Sequence, residues 1–194
     1  MEALSEIQLR AIADARGIAY ETPATEESSN ERVVRTILAR NFPIPQEEAY
    51  NTFADPQNHV RYFTIIKACT PLIPLEGVLE PNQYVVLEHV QEERLPPRLM
   101  FVKYNLNPPF SISKEAITDP LSDVHTLDRK KGKVSLAFEK LGRNSTRIVC
   151  DSTFTTNKGP VFIRGFIDHV WLNFFERVMI ETGELNPSDM LTKA

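Results

Sequence analysis

The segment GPVFIRGFIDHVWLNFFERVMI, residues 159–180, constrains this chain more than any other. Its apolar content suggests a membrane anchor, yet Arg164, Asp168, His169, Glu176 and Arg177 interrupt it. The pattern predicts one helix, opening after Asn157-Lys158-Gly159 with Pro160 in its first turn, where a missing N–H costs nothing. Phe162, Ile163, Phe166, Ile167, Val170, Trp171, Phe174 and Val178 form one broad face, and Arg164, Asp168, Glu176 and the flanking His169 point elsewhere. A spanning helix would carry the charged residues into lipid at about 2.5–3.5 kcal/mol each, which excludes a transmembrane segment. Helices that lie on a membrane usually bear a polar face rich in lysine and arginine, whereas here acids balance bases. The helix therefore needs a protein surface to cover it. An antiparallel sheet with an apolar concave face would supply one.

The preceding sequence contains the strands for such a sheet. VVRTILARNF (33–42) is β-branched and partly alternating, and it ends at Pro43 and Pro45. Ala49, Tyr50 and Phe53 then fall at helical spacing in 46–55, and QNHVRYF (57–63) predicts a second short helical turn after Asp55-Pro56. Strand-sized runs follow at 63–73, 83–91, 98–106, 110–118, 133–141 and 145–156, with SDVHTLD (122–128) a further strand or part of its neighbour. The cleanest alternation is in KVSLAFE, where Val134, Leu136 and Phe138 share a face. Connections this short favour antiparallel pairing, because parallel strands need long crossovers. Ahead of all this, Leu4, Ile7, Ala11 and Ala15 define a short amphipathic helix over 3–16, and the acidic ETPATEESSNE (21–31) reads as a linker.

Composition removes several function classes. A net charge of −4 gives no general attraction to nucleic acid, and the one basic cluster, Arg129-Lys130-Lys131, reads as a turn. Cys69 and Cys150 form no CxxC pair and are expected to be buried free thiols. His59, His89, His125 and His169 match neither HxxxH nor HExxH, so no metal site is expected. No cofactor motif is present: glycine-rich phosphate loops and GxSxG are both missing. The N-terminus carries Glu2 and Glu6 and lacks the apolar core of a signal peptide, which makes a cytoplasmic location the expectation.

The element order, together with FADPQNHVRYF, the hairpin KVSLAFEKLGRNSTRIVCDSTF and the closing helix GPVFIRGFIDHVWLNFFERVM, resembles the SRPBCC superfamily. That group contains the START lipid-transfer domains, the major birch-pollen allergen and polyketide cyclases. The resemblance implies an α+β helix-grip fold: a curved antiparallel sheet of about six to seven strands around a long C-terminal helix, with two short helices after the first strand. It implies a helix-grip domain over 32–182, preceded by the helix and linker (1–31) and followed by a tail (183–194). It further implies a cavity between sheet and helix that takes a hydrophobic small molecule, such as a lipid, an isoprenoid or a polyketide-like aromatic.

On that reading Tyr62, Phe101, Phe138, Phe166, Val170, Trp171 and Phe174 are the expected ligand-binding residues. A polyketide cyclase or aromatase is the enzymatic alternative, needing an acid–base group in the cavity, for which His89, His125 and Tyr104 are the candidates. A co-chaperone-like interaction module is the third reading, and transient membrane or protein contact belongs with it. Arg35 and Asp151 are expected to pair across strands on the outer face. Arg164 and Arg177 are expected to pair with Asp168 and Glu181 or to stay solvated.

Overall fold

Strand-forming runs dominate the middle of the chain, and they join one antiparallel sheet in the computed structural model, which describes residues 4–23, 26–27, 32–72, 82–91, 97–117, 132–156 and 160–192. The strands are β1 (Ala19–Glu21), β2 (Glu26–Glu27), β3 (Arg32–Phe42), β4 (Ile66–Leu72), β5 (Gln83–Val90), β6 (Arg98–Asn107), β7 (Ser111–Ile117), β8 (Gly132–Gly142) and β9 (Ser145–Thr156). Eight of them run in the order β1-β3-β9-β8-β7-β6-β5-β4, and the two-residue β2 adds to β3. This corrects the expected six to seven strands. The extra strand in the path is β1, where Ala19, Tyr20 and Glu21 pair with Ala39, Leu38 and Ile37. Three residues are too few to show a period-two pattern, and β2 lies within the segment that reads as a linker. The segment 122–128 lies outside the described residues.

Among the described residues four α-helices accompany the sheet: α1 (Glu6–Ala15), α2 (Gln46–Ala54), α3 (His59–Tyr62) and α4 (Pro160–Glu181). Ser5 and Gln8 close α1 with a reciprocal capping box, which satisfies donors that the first turn would otherwise leave open. Gly17 follows at φ 61°, a left-handed conformation that reverses the chain at little cost and delivers Ile18 to the core. The N-terminal helix is thus docked: Leu9, Ile12 and Ala13 pack into the same cluster as α4. Between β3 and β4, a 3-10 turn at Pro56–Asn58 links α2 to α3, with Asp55 accepting from the Gln57 N–H.

The surroundings of α4 account for its apolar character. Trp171, Phe174, Phe175 and Val178 of α4 are buried within the main core, and Phe175 lies 5.8 Å from Phe42 of β3, centroid to centroid. Asp168, His169, Asn173 and Glu176 are buried as well, beneath α1, β1 and the C-terminal segment. Over residues 168–176, where every side chain is buried, the helix needs no amphipathic division, and its polar residues there become internal fasteners. Tyr20 of β1 donates to Asp168 at 2.7 Å, and Arg16 donates to Glu176 at 2.7 Å. Glu176 also accepts from the backbone N–H groups of Leu191 and Thr192, each at 3.0 Å, and from the Thr192 hydroxyl. Arg177 bonds Asn173 and the Arg61 carbonyl, while Glu181 is held by Arg61, so the expected Arg177–Glu181 pair does not form. The Arg164 side chain lies outside the described residues.

Arg35 and Asp151 do pair across β3 and β9, through two bonds at 2.9 and 2.6 Å. Both side chains are partly solvated, so the pair contributes little to stability. Cys69 and Cys150 are buried free thiols, and burial pushes the Cys69 thiol up to about 11. Among the described residues no helix is long and apolar enough to cross a membrane.

Candidate functional site

A small enclosed space lies between the inner face of the sheet and α4, walled by Phe53, His59, Phe63, Tyr104, Ile112, Lys114, Val134, Leu136 and Trp171. Its volume is about 10 Å³, room for roughly one water molecule. Each wall residue arrives by the period of its element. Tyr104 of β6 pairs directly with Lys114 of β7, and Ile112 stands two residues before Lys114 on the same face. Val134 and Leu136 alternate inward on β8, and Trp171 comes down from α4. From the helical side, α2 contributes Phe53 and α3 contributes His59, with Phe63 just beyond it.

Aromatic rings fill the space around this point. Phe63 stacks on Phe174 at 4.9 Å and meets Trp171 edge-on at 5.1 Å. Phe53 lies 6.0 Å from Phe138, 5.1 Å from Tyr62 and 5.1 Å from Phe174. Ring pairs in tilted, edge-on or offset geometry add to the stabilisation from area burial alone, so this corner of the interior is tightly set.

Polar groups at one end of the cavity form a connected chain. His59 Nε2 is 3.0 Å from the Phe53 carbonyl oxygen, and His59 Nδ1 is 2.8 Å from the Tyr104 hydroxyl. That hydroxyl is in turn 2.7 Å from Glu88 Oε1. Lys114 Nζ approaches the same carboxylate oxygen at 3.5 Å and sits over the Phe63 ring at 4.8 Å. Tyr84 stacks on Tyr104 at 4.9 Å and donates to the Ala54 carbonyl at 2.7 Å, which fixes α2 to β5.

His59, Glu88 and Tyr104 are fully enclosed. Burial pushes the Glu88 carboxyl up, but Lys114 and the bonds from His59 and Tyr104 outweigh it and hold the group at about 2. Burial pushes the Tyr104 phenol well above its ordinary range, and the neighbouring Glu88 charge adds to the effect. Charge and proton-donating capacity are thus held against an apolar wall, which is how acid–base or ligand-orienting sites are made. No three metal-ligating side chains come together among the described residues.

Of the residues expected from sequence, Tyr104 and Trp171 line the cavity. Tyr62, Phe138 and Phe174 belong to the aromatic cluster beside it, and Val170 is buried next to Trp171 on α4. Phe101 lies on the opposite face of β6 from Tyr104, one register step from the inner residues Met100 and Val102. His89 is exposed and pairs with Leu99 on that outer face, so the acid–base candidate of β5 is its neighbour Glu88. His125 and the side chain of Phe166 lie outside the described residues. His59, Glu88 and Lys114 were not among the expected site residues. Alternation with Val86 and Val90 marks Glu88 as inward, and alternation with Ile112 marks Lys114.

An α+β fold in which a large antiparallel sheet packs on a long C-terminal helix is the helix-grip arrangement, and solved structures agree. The STAR-related lipid transfer protein of Xanthomonas axonopodis superposes with a TM-score of 0.59 at 7% identity, over 84% of this chain and 98% of that one. The human StarD13 lipid transfer and protein localization domain gives 0.58 at 11% identity, over 95% and 98%. The Zhui aromatase/cyclase from a Streptomyces species gives 0.54 at 13% identity, over 82% and 99%. START domains and aromatase/cyclases are both SRPBCC helix-grip proteins, and this chain shares their fold. No family model matches the sequence, and no curated protein does.

Proposed function

We propose that this chain binds a hydrophobic small molecule between the sheet and α4. The observation that carries the reading is the enclosed space beside Trp171, whose walls are apolar except for a few placed polar groups, as ligand sites usually are. The likeness to lipid-transfer domains and aromatase/cyclases supports it at the level of fold. A space of about 10 Å³ admits nothing larger than water, so a lipid chain or a polyketide-like aromatic enters only if Phe53, Phe63 or Trp171 moves aside. Binding is thereby coupled to the environment of the single tryptophan in the chain.

The test is solvent extraction of freshly purified protein with mass spectrometry of the extract, beside native mass spectrometry of the intact chain. A stoichiometric apolar compound is expected. Titration with lipids and aromatics is expected to change Trp171 emission saturably. An empty extract together with unaltered emission across the panel would overturn the reading.

One observation favours a second reading, an aromatase/cyclase-type enzyme. The Tyr104 hydroxyl stands at the cavity wall inside a hydrogen-bonded chain, within reach of a bound molecule. Tyr104→Phe should then abolish turnover of a polyketide-like substrate while leaving its binding within about threefold, as expected when an interaction made only in the transition state is removed. Equal turnover in both proteins would exclude this role for Tyr104.

A further inference from the structure

Glu88 is already served within the buried cluster. Its carboxylate accepts from the Tyr104 hydroxyl at 2.7 Å, and His59 Nδ1 stands 2.8 Å behind that hydroxyl. The Phe53 carbonyl can only accept, so His59 Nε2 carries a hydrogen toward it.

Lys114 pairs with the same carboxylate, but loosely. Its side chain is 16% exposed, and its bond to Glu88 is long at 3.5 Å. Its other close neighbours are the Phe63 and Tyr104 rings, at 4.8 and 5.9 Å. Among the described residues no other carboxylate pairs with it. The Cys69 thiol near Glu88 and Lys114 is neutral at ordinary pH. An ammonium has three donors, and these contacts leave most of that capacity open on a residue that lines the cavity.

We propose that Lys114 is the docking point for the anionic end of the bound molecule, so that the ligand is an apolar body bearing one oxygen anion, such as a carboxylate. The inference rests on the hydrophobic-binding reading above and narrows it. An anion there would gain charge-assisted bonds from the open donors of the ammonium in surroundings of low dielectric. A neutral hydrophobe of the same shape would leave the ammonium as it is.

The test uses two matched pairs of probes: laurate with methyl laurate, and anilinonaphthalene sulfonate with the uncharged phenylnaphthylamine. The wild-type chain is expected to bind each anion about tenfold or more tightly than its neutral partner, as a hydrogen bond to a charged group would give. Lys114→Met should bring each pair to within about twofold, and Lys114→Arg should retain the preference. Should Lys114→Met fail to fold, reductive ¹³C-methylation of the wild-type lysines gives the same information. The Lys114 resonance, assigned by its loss in Lys114→Arg, should then shift with laurate and not with the ester. Equal affinity within the wild-type pairs would overturn this docking point and leave hydrophobic binding intact. An anion preference undiminished in Lys114→Met would also overturn it. If no probe of either pair bound, both the docking point and the carrier reading would fall.

Discussion

Glu176→Ala is expected to lower the unfolding free energy by about 3–5 kcal/mol, the range for breaking a buried charged network by removing one partner. Glu176 is wholly enclosed, and its two oxygens accept from Arg16, from the Leu191 and Thr192 N–H groups, and from the Thr192 hydroxyl. Alanine removes one acceptor of the Arg16 guanidinium, which keeps the Asp189 carbonyl, and leaves the Leu191 and Thr192 N–H groups without theirs. The loss should appear in two places. The urea midpoint falls, and the C-terminal segment through Thr192 becomes more readily cleaved by protease under native conditions, because it then rests on the bonds from Asn173 and His169 to Thr192 and from Arg16 to the Asp189 carbonyl. Glu176→Gln should fall between, since an amide keeps one acceptor oxygen. An unchanged urea midpoint for Glu176→Ala would refute the network as a source of stability.

The second large effect belongs to Glu88. Its folded-state carboxyl sits at about 2, below the ordinary value of 4.5, so its contribution is fully present above the unfolded value and is lost as pH falls through the folded one. The shift corresponds to a contribution on the order of 3 kcal/mol, withdrawn between about pH 5 and pH 2. Glu88→Ala should cost about 3–5 kcal/mol at neutral pH, because the Tyr104 hydroxyl, His59 and Lys114 all lose their shared acceptor. Glu88→Gln should cost less and should flatten the acid limb of the stability curve. Urea melts at a series of pH values check both. A wild-type acid limb identical to that of Glu88→Gln would mean that Glu88 is not ionised in the folded chain.

How far these features were legible beforehand varies with the local pattern. In KVSLAFE the alternation is clean, and Val134, Leu136 and Phe138 are all buried together. In VVLEHVQ it is not: Val85 and Val86 are both buried, and the difference of one residue between Glu88 and His89 decides which side chain faces the interior. Histidine is the usual acid–base group, but alternation with Val86 and Val90 turns Glu88 inward and His89 outward. RLMFVKYNL offers Leu99, Met100, Phe101 and Val102 in succession, so no period separates the two faces, and Phe101 was drawn to the wrong one. His59 lies in a helix of four residues, too short for any periodicity to orient it. The polar residues of α4 were unreadable for another reason. Their partners, Arg16, Tyr20 and Thr192, stand far away in sequence, and no local pattern encodes a cover supplied from both ends of the chain.

That same arrangement sets a timetable for synthesis. Tyr20 meets Asp168 across 148 residues, and Arg16 meets Glu176 across 160. At about 5–20 residues per second, α1 leaves the ribosome roughly ten to thirty seconds before its partner helix exists. A ten-residue helix is too short to persist alone in water over that interval. Of these two helices, the earlier to emerge must therefore wait for the later before it settles. Until α4 has been made, the nascent sheet must keep its inner face from other chains.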